Sequence, residues 1–245
     1  MFINEAVATD ETATTSYTQP LVYTAGGDGS MSTSPQPYYP TSGKDVNIYA
    51  YYPSGTVTSI DADAEQVEFT VKENQSSDDD YRASDLMYGT ASNPVKRIKD
   101  DVNITFKHLL SKVTVTLISN VGNPDLTGAK VELLNVQPGT TFTPSTGTIT
   151  KATGEKKTIT VMDKGTNLSG SAVVVPQTLN QEVDGKRRFI KVTLKTGGEL
   201  YSGELTDSNG YATGAIEMTA GNEYKYEIKV NPVSYTHLTL PTILR

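Results

Sequence analysis

The chain has 245 residues, 36% of them hydrophobic, a formal net charge of −7 and no cysteine. The acidic balance argues against nucleic acid and anionic lipid as partners, because both select basic surfaces. The absence of cysteine excludes disulfides, thiol chemistry and thiolate metal sites, and no apolar run is long enough to span a membrane. No basic-then-apolar leader follows Met1, so we expect the native N-terminus to lie upstream of it.

Alternation of apolar and polar residues predicts short strands along the first half of the chain, because successive side chains of a strand point to opposite faces. The predicted strands are residues 20–23, 46–51, 67–71 and 102–117. Three prolines between residues 35 and 40 predict a surface loop, and the acidic residues 76–80 predict another. Residues 83–88 are expected to form a short turn or strand over the edge of the core, and no stretch shows the 3.6-residue period of a helix.

Within residues 102–117 the alternating positions change parity. They fall on even numbers first and on odd numbers later: Val102, Ile104, Phe106 and His108, then Val113, Val115 and Leu117. A slip of one residue turns every side chain of a strand over, so the chain must bulge or turn near residues 108–111, or pass there from one sheet to another. We expect His108, which continues the even-numbered face, to be a buried, hydrogen-bonded residue and not a catalytic one.

Residues 120–128 are the predicted boundary between two domains, because they contain Gly122, Pro124 and Gly128. Further strands are predicted at residues 131–133, 149, 159–161, 173–175, 190–194, 200–205 and 224–230, with a hairpin turn at residues 207–210. Many short strands separated by turns are typical of antiparallel sandwiches. We therefore predict an all-β fold with one β-sandwich in residues 1–121 and a second in residues 122–232.

The tail of the chain differs from the rest. Residues 233–242, VSYTHLTLPT, can be encoded by the adapter used in transposon-based sequencing libraries. We therefore interpret residues 233–245 as a non-native tail and the chain as a metagenomic fragment. The alternative is a genuine strand, because Tyr235, Leu238 and Leu240 are apolar.

The sequence offers few residues for catalysis. Its two histidines are His108 and His237, and the second lies in the suspect tail, so no pair is left for a metal or for acid–base chemistry. No Gly-x-Ser-x-Gly elbow, phosphate loop or dinucleotide fingerprint occurs. We predict that the protein is not an enzyme and has no cofactor; a secreted hydrolase with paired carboxylates is the least favoured alternative.

Three acidic groups resemble calcium sites superficially. They are Asp61, Asp63 and Glu65, then Asp78, Asp79 and Asp80, and finally Asp207 with Asn209. In the first group Gln66 stands where a calcium loop needs glycine. The second group is typical of a solvated face, and the third of a hairpin turn. The sequence therefore predicts no metal site.

Tyrosines cluster at residues 38–39, at Tyr49, Tyr51 and Tyr52, and at Tyr224 and Tyr226. Such rings can stack against sugars, which makes a secreted carbohydrate-binding β-sandwich of a glycan-utilisation system the alternative function. The sequence has no tryptophan, and tyrosine is favoured in strands in any case. Packing within the sheets is therefore the favoured role of these rings.

Several segments resemble one family. Residues 106–112, Phe-Lys-His-Leu-Leu-Ser-Lys, resemble the F-x-H-x-x-S-K motif of Bacteroides-type fimbrillin-like proteins. Residues 84–88 and 46–53 resemble two further segments of that family, and residues 175–177 and 220–228 resemble its C-terminal half. The motif residues are Phe106, His108, Ser111, Lys112, Ser84, Asp85, Leu86, Met87 and Tyr88. The matches occur in family order.

The resemblance implies two tandem transthyretin-like antiparallel β-sandwiches and a structural, adhesive subunit of type V pili without catalytic residues. Such subunits are exported as lipoproteins and assemble at the cell surface, outside the outer membrane. The implied partners are other fimbrial subunits, joined by donor-strand exchange, together with host or bacterial surface ligands. In that exchange an N-terminal segment is removed by proteolysis and a neighbour's C-terminal strand is inserted, which is a form of β-augmentation.

Overall fold

The structure is a computed structural model that describes residues 1–6, 20–54, 66–97, 100–179, 189–195, 198–202 and 216–231. Up to residue 119 its elements are β1 (Phe2–Glu5), β2 (Thr24–Ala25), β3 (Met31–Ser32), β4 (Val46–Tyr52), β5 (Val67–Thr70), α1 (Asp78–Ser84), β6 (Met87–Thr90), β7 (Thr105–His108) and β8 (Ser111–Ser119). They are followed by β9 (Lys130–Val136), β10 (Gly139–Thr143), β11 (Thr148–Ile149), β12 (Lys157–Met162), β13 (Ser169–Val174), β14 (Thr178–Leu179), β15 (Ile190–Thr193), β16 (Glu199–Tyr201), β17 (Ile216–Glu217) and β18 (Glu223–Val230). These ranges contain no helix that is long and apolar enough to cross a membrane.

The described strands form two four-stranded sheets, β1-β4-β6-β7 and β12-β9-β15-β16, and two three-stranded sheets, β11-β10-β5 and β13-β8-β18. Two short pairs, β14-β17 and β2-β3, complete the set. Every pairing is antiparallel except that of β8 with β18, which is parallel. The predicted all-β fold is confirmed, and the tandem transthyretin-like arrangement stays a prediction.

One large hydrophobic core holds residues from both halves of the chain. Phe2 and Leu86 from the first half are buried in it together with Val131, Phe142 and Phe189 from the second. The sheet pairing also crosses the predicted boundary, because β10 pairs with β5 and β8 pairs with β13 and β18. The division at residues 121 and 122 stays a prediction, and hydrogen-bonded strands from both sides of it share sheets.

A smaller core lies on the opposite face of the sheet β1-β4-β6-β7. It contains Ile3, Val46, Ile48, Ala91 and Val95. Because successive side chains alternate between faces, the short strand β1 places Phe2 in the large core and Ile3 in the small one. Both faces of this edge strand are therefore buried at its start.

The parity change predicts a corner near residues 108–111, and the structure has one. Strand β7 ends at His108 in one sheet, and β8 begins at Ser111 in another. The buried side chains of β8 are the odd-numbered Val113, Val115 and Leu117. Of the alternatives left open by the sequence, the passage from one sheet to another is confirmed.

The acidic segment at residues 76–80 was expected to be a loop, and this prediction is wrong. Residues Asp78–Ser84 form α1, with Ser77 as the N-cap, its hydroxyl accepting a hydrogen bond from the Asp80 N–H at 3.2 Å. Aspartates at the first three helical positions favour this end of the helix electrostatically. A helix of two turns is too short to produce a readable period in the sequence.

A charge cluster around the buried Glu132 lies on the sheet β12-β9-β15-β16. The carboxylate of Glu132 accepts hydrogen bonds from Lys130 Nζ at 2.6 Å and from Lys191 Nζ at 3.1 Å, and Lys191 also contacts Glu199 Oε1 at 3.1 Å. Burial opposes ionisation of Glu132, but the hydrogen bonds from the two lysines outweigh it, so the pKa of this carboxyl lies below its ordinary value. For Lys191, likewise, hydrogen bonds to the carboxylates outweigh burial and raise the pKa.

We expect Glu132→Gln to lower the free energy of unfolding by about 2 kcal/mol at neutral pH, because hydrogen bonds to a charged group are lost. A carboxyl with a lowered pKa contributes stability that is complete above its unfolded pKa and is lost as the pH falls through the folded one. The difference in unfolding free energy between the parent and Glu132→Gln should therefore be constant near neutral pH. It should shrink below pH 4.5, the ordinary pKa of a glutamate carboxyl. Urea denaturation across this range measures it. Glu155→Gln, at an exposed position, is the control, and a difference that does not change with pH would contradict the assignment.

Candidate functional site

The two motif segments predicted from the sequence lie side by side. Strand β6 pairs with β7 so that Met87 faces His108 and Tyr88 faces Lys107. Leu86, which is fully buried, accepts a hydrogen bond from the Leu109 N–H at 2.9 Å. Residues 84–88 and 106–112 therefore form one continuous structural unit around the corner.

The expectation that His108 is a buried histidine is wrong. Its side chain is 60% exposed, and its Nδ1 lies 2.9 Å from Oδ1 of Asp85, a carboxylate that is only 14% exposed. The even-numbered face of this stretch packs Val102 and Ile104 against the small core, and Phe106 is half-buried. The small core does not extend as far as His108, because β7 is the edge strand of its sheet.

Ser111 and Lys112 attach the corner to the start of β18. The fully buried Ser111 donates its Oγ hydrogen to the Thr219 carbonyl at 2.8 Å, and the Lys112 N–H bonds to the Asn222 carbonyl at 2.9 Å. Lys112 Nζ lies 3.1 Å from Glu223 Oε1, and this hydrogen bond raises the pKa of Lys112. The contacts fix the register in which β18 lies parallel to β8.

The remaining motif residues have packing or bonding partners. Ser84 is buried; its Oγ donates to the Asp80 carbonyl at 2.9 Å and accepts from the Lys72 N–H at 3.0 Å. The Tyr88 ring contacts the rings of Tyr51 and Phe142. Met87 is half-buried. A purely structural role for the motif residues stays a prediction, and their placement is consistent with one.

Among the described ranges, no group of three or more side chains suited to hold a metal ion occurs. Asp78, Asp79 and Asp80 belong to the first turn of α1. The other acidic groups considered for calcium, the predicted hairpin at residues 207–210, His237 and the tail 233–245 lie outside the described residues. Tyr51 packs between Phe2 and Phe142 and donates its hydroxyl hydrogen to the Pro144 carbonyl at 2.7 Å, so it forms no exposed platform for a sugar.

Three side-chain amides each satisfy both backbone groups of one residue, and two of these residues lie in strands. Gln75, which is buried, accepts from the Val173 N–H at 2.7 Å and donates to the Val173 carbonyl at 2.9 Å, on the outer edge of β13. Gln177 bonds in the same two-sided way to the backbone of Gln137, at 3.0 Å each. Asn93 does so with Ile48, at 2.9 and 3.1 Å.

These amides were not identified from the sequence, and nothing in the local pattern marks them. A carboxamide carries one acceptor and two donors, like a peptide group, so it can satisfy both backbone groups of one residue. Such a cap closes a sheet edge to pairing with another chain. The edges that end in β13 and the gap beside β4 are sealed in this way.

The edge formed by β1 is held differently. It consists of four residues that pair with β4 alone, from Phe2 opposite Tyr49 to Glu5 opposite Val46. In β1 the amide oxygen of Asn4 is buried, and no hydrogen-bond partner for it exists in the described structure. An unsatisfied buried acceptor costs roughly 1–3 kcal/mol. The strand therefore occupies its position less favourably than a fully satisfied strand would.

A comparison with protein families finds that the model of the fimbrillin-like family matches residues 3–243. Among solved structures, the chain resembles a candidate cell adhesion protein from Bacteroides uniformis, with a TM-score of 0.61, 22% identity, and coverage of 94% of this chain and 85% of that one. It also resembles a candidate cell adhesion protein from Bacteroides ovatus, with a TM-score of 0.64, 16% identity, and coverage of 93% and 80%. At these identities the two structures support the fold alone.

A search of curated protein sequences gives no match to the chain.

We expect Gln75→Leu to lower the free energy of unfolding by about 1–3 kcal/mol, because the N–H and C=O of Val173 lose their partners in a buried site. Gln75→Glu is the informative companion. An ionised carboxylate cannot donate to the Val173 carbonyl, whereas a protonated one can. The loss of unfolding free energy caused by Gln75→Glu should therefore shrink as the pH falls from neutral toward acid. The loss caused by Gln75→Leu should not change. Urea denaturation of both variants across this range makes the measurement, and parallel pH profiles would argue against the edge cap.

Proposed function

The chain belongs to the fimbrillin-like family, and we propose that, as a subunit of a cell-surface fimbria, it joins its neighbours by exchanging a β-strand at the position of β1. The family assignment makes it a structural protein of a surface appendage and not an enzyme. Strand exchange, the transthyretin-like domains and association with the outer membrane are the further parts of this proposal.

The observation that carries the proposal is the one-sided pairing of β1. The strand lies at a sheet edge, has one neighbour and carries the unsatisfied amide oxygen of Asn4. Side-chain amides cap Val173 in β13 and Ile48 in β4 instead. The strands β11 and β16 are also short edge strands, and β1 differs from them in carrying a buried acceptor for which the described structure shows no partner. Replacing it by another strand exchanges one set of backbone hydrogen bonds for an equal set, and the net cost is small.

The position of β1 also defines what an incoming strand must provide. Phe2 fills a place in the large core, with its ring centroid 5.9 Å from that of Tyr51. Ile3 fills a place in the small core. A donor strand therefore needs adjacent apolar residues, one large enough to contact Tyr51 and one to cover Val46 and Ile48. Without them, removal of β1 would expose both cores to water.

The alternative of a carbohydrate-binding β-sandwich built on Tyr49 and Tyr51 has no supporting observation. Tyr51 is engaged by aromatic neighbours and by the Pro144 carbonyl. Tyr49 is half-buried and lies opposite Phe2 in the strand pairing. Binding of the fimbria to ligands on host or bacterial surfaces remains part of the proposal. We assign no binding site for such ligands to Tyr49 or Tyr51.

We expect deletion of residues 1–6 to convert the protein into concentration-dependent oligomers, because the edge of β4 then becomes available to other chains. Size-exclusion chromatography with light scattering measures the change. Addition of a synthetic peptide with the sequence of residues 1–6 should return the deleted protein to the monomer, because it restores the missing strand in trans.

The matched control locks β1 in place. Asn4 and Asn47 lie opposite each other, and Asn4→Cys with Asn47→Cys introduces the only two cysteines of the chain. Opposed residues of antiparallel strands have Cα atoms roughly 4.5–5.5 Å apart, which suits a disulfide. The oxidised variant should stay monomeric. A deleted protein that also stays monomeric at high concentration, while remaining folded, would contradict the proposal.

A further inference from the structure

A cavity of about 610 Å³ lies on the outer side of the sheet β1-β4-β6-β7, away from the large core. One wall consists of aliphatic side chains of the sheet and of the segment that leads into β7. They are Ile3, Val46, Ile48, Val102 and Ile104. The opposite wall is formed by the hairpin β2-β3 and by residues 36–39. None of the motif residues lines this cavity.

The rim of the cavity is acidic. Asp28, Asp100 and Asp101 line it and are exposed, and the described lining contains neither lysine nor arginine. Hydrogen bonds from Ser30 lower the pKa of Asp28, so this carboxyl is ionised at neutral pH. Met1 also lies on the lining, and its backbone nitrogen donates to the Leu21 carbonyl at 2.8 Å.

Aromatic rings complete the rim. Tyr23, Tyr38 and Tyr39 line the cavity, and the Tyr39 hydroxyl donates to the Lys96 carbonyl at 3.0 Å, which fixes its ring. Tyr38 is 80% exposed and is one of the few large hydrophobic side chains so exposed among the described residues. Exposed apolar residues beside a cavity indicate a surface that receives a partner.

We infer that this cavity binds a peptide segment that carries lysine or arginine side chains. The alkyl stem of such a side chain would pack on the aliphatic wall, with its charged head between the carboxylates and the tyrosine faces of the rim. An anionic ligand would be repelled by the three carboxylates. The charged determinants of this binding, Asp28, Asp100 and Asp101, lie outside β1, although Ile3 of β1 forms part of the wall.

The experiment uses the full chain and three labelled peptides, acetyl-Ala-Lys-Leu-Lys-Ala-amide and its counterparts with glutamate or norleucine in place of lysine. Fluorescence anisotropy should detect binding of the lysine peptide and not of the glutamate peptide, with the norleucine peptide weaker than the lysine one. Binding should weaken as salt rises from about 50 to 500 mM, because exposed charges are screened at that ionic strength.

Two variants locate the site. Asp100→Asn with Asp101→Asn should weaken binding of the lysine peptide roughly threefold to tenfold, since exposed ion pairs contribute little individually. Glu155→Gln with Glu227→Gln, which removes two exposed carboxylates elsewhere, should change it less than about twofold, because distant charges are screened. Tyr38→Ala should also weaken binding, through loss of the aromatic face.

Equal binding of the lysine and glutamate peptides would overturn the inference, as would an equal loss in the two double variants. Binding of neutral oligosaccharides at this cavity, lost in Tyr38→Ala and insensitive to salt, would replace it with a carbohydrate site. No binding of the lysine peptide to the folded chain would also overturn it. None of these results affects the oligomerisation of the protein that lacks residues 1–6, so the two proposals fail separately.

Discussion

An edge strand presents a row of backbone N–H and C=O groups that another chain can pair with. This protein has many short strands and several sheets, and therefore many such edges. Two places are closed by the carboxamides of Gln75 and Asn93, each of which replaces one residue of a missing strand neighbour. At β18 the outward residues alternate in charge from Glu223 to Lys229, a pattern that discourages edge pairing. The edge at β4 is covered by β1 instead, and the proposed strand exchange rests on this difference.

The sequence predicted the class of fold and the corner, because both depend on a period of two residues. The parity change between Phe106 and Val113 followed from side-chain alternation alone, and β7 and β8 do belong to different sheets. The burial of His108 was wrong because alternation identifies a face but does not say how far the neighbouring core extends along it. Helix α1 was missed because two turns give no period, although Ser77 and the aspartates after it are a capping signal.

The amide caps could not have been predicted from one sequence. Gln75 and Val173 are 98 residues apart, and their contact depends on how α1 approaches β13. The same holds for the cavity beside the small core, whose described lining comes from residues 1–48 and 100–104. The motif resemblance, by contrast, identified the family and two segments that the structure pairs. Local patterns therefore predicted the strands, and the resemblance identified the family. The amide caps at the sheet edges could be seen only in the three-dimensional structure.

The two proposed surfaces share one sheet, and Ile3 of β1 belongs to both. Strand exchange acts at the edge through backbone hydrogen bonds and at both cores through Phe2 and Ile3. The acidic cavity acts on the outer face through Asp100, Asp101 and the tyrosines of the rim. An assembling subunit with a surface for basic peptides would keep that surface on the outside of the sandwich, where the exchange of β1 leaves the hairpin β2-β3 in place.

Amide hydrogen exchange tests the weak attachment of β1 most directly. The Val46 and Ile48 N–H groups bond to Val95 and Asn93, so those of Asn47 and Tyr49 face β1. If β1 leaves without global unfolding, these two should exchange about 100-fold or more faster than Val113 and Val115 in the central strand β8. Equal protection at all four positions would show that β1 opens only when the whole protein unfolds, and the account of strand exchange would be contradicted.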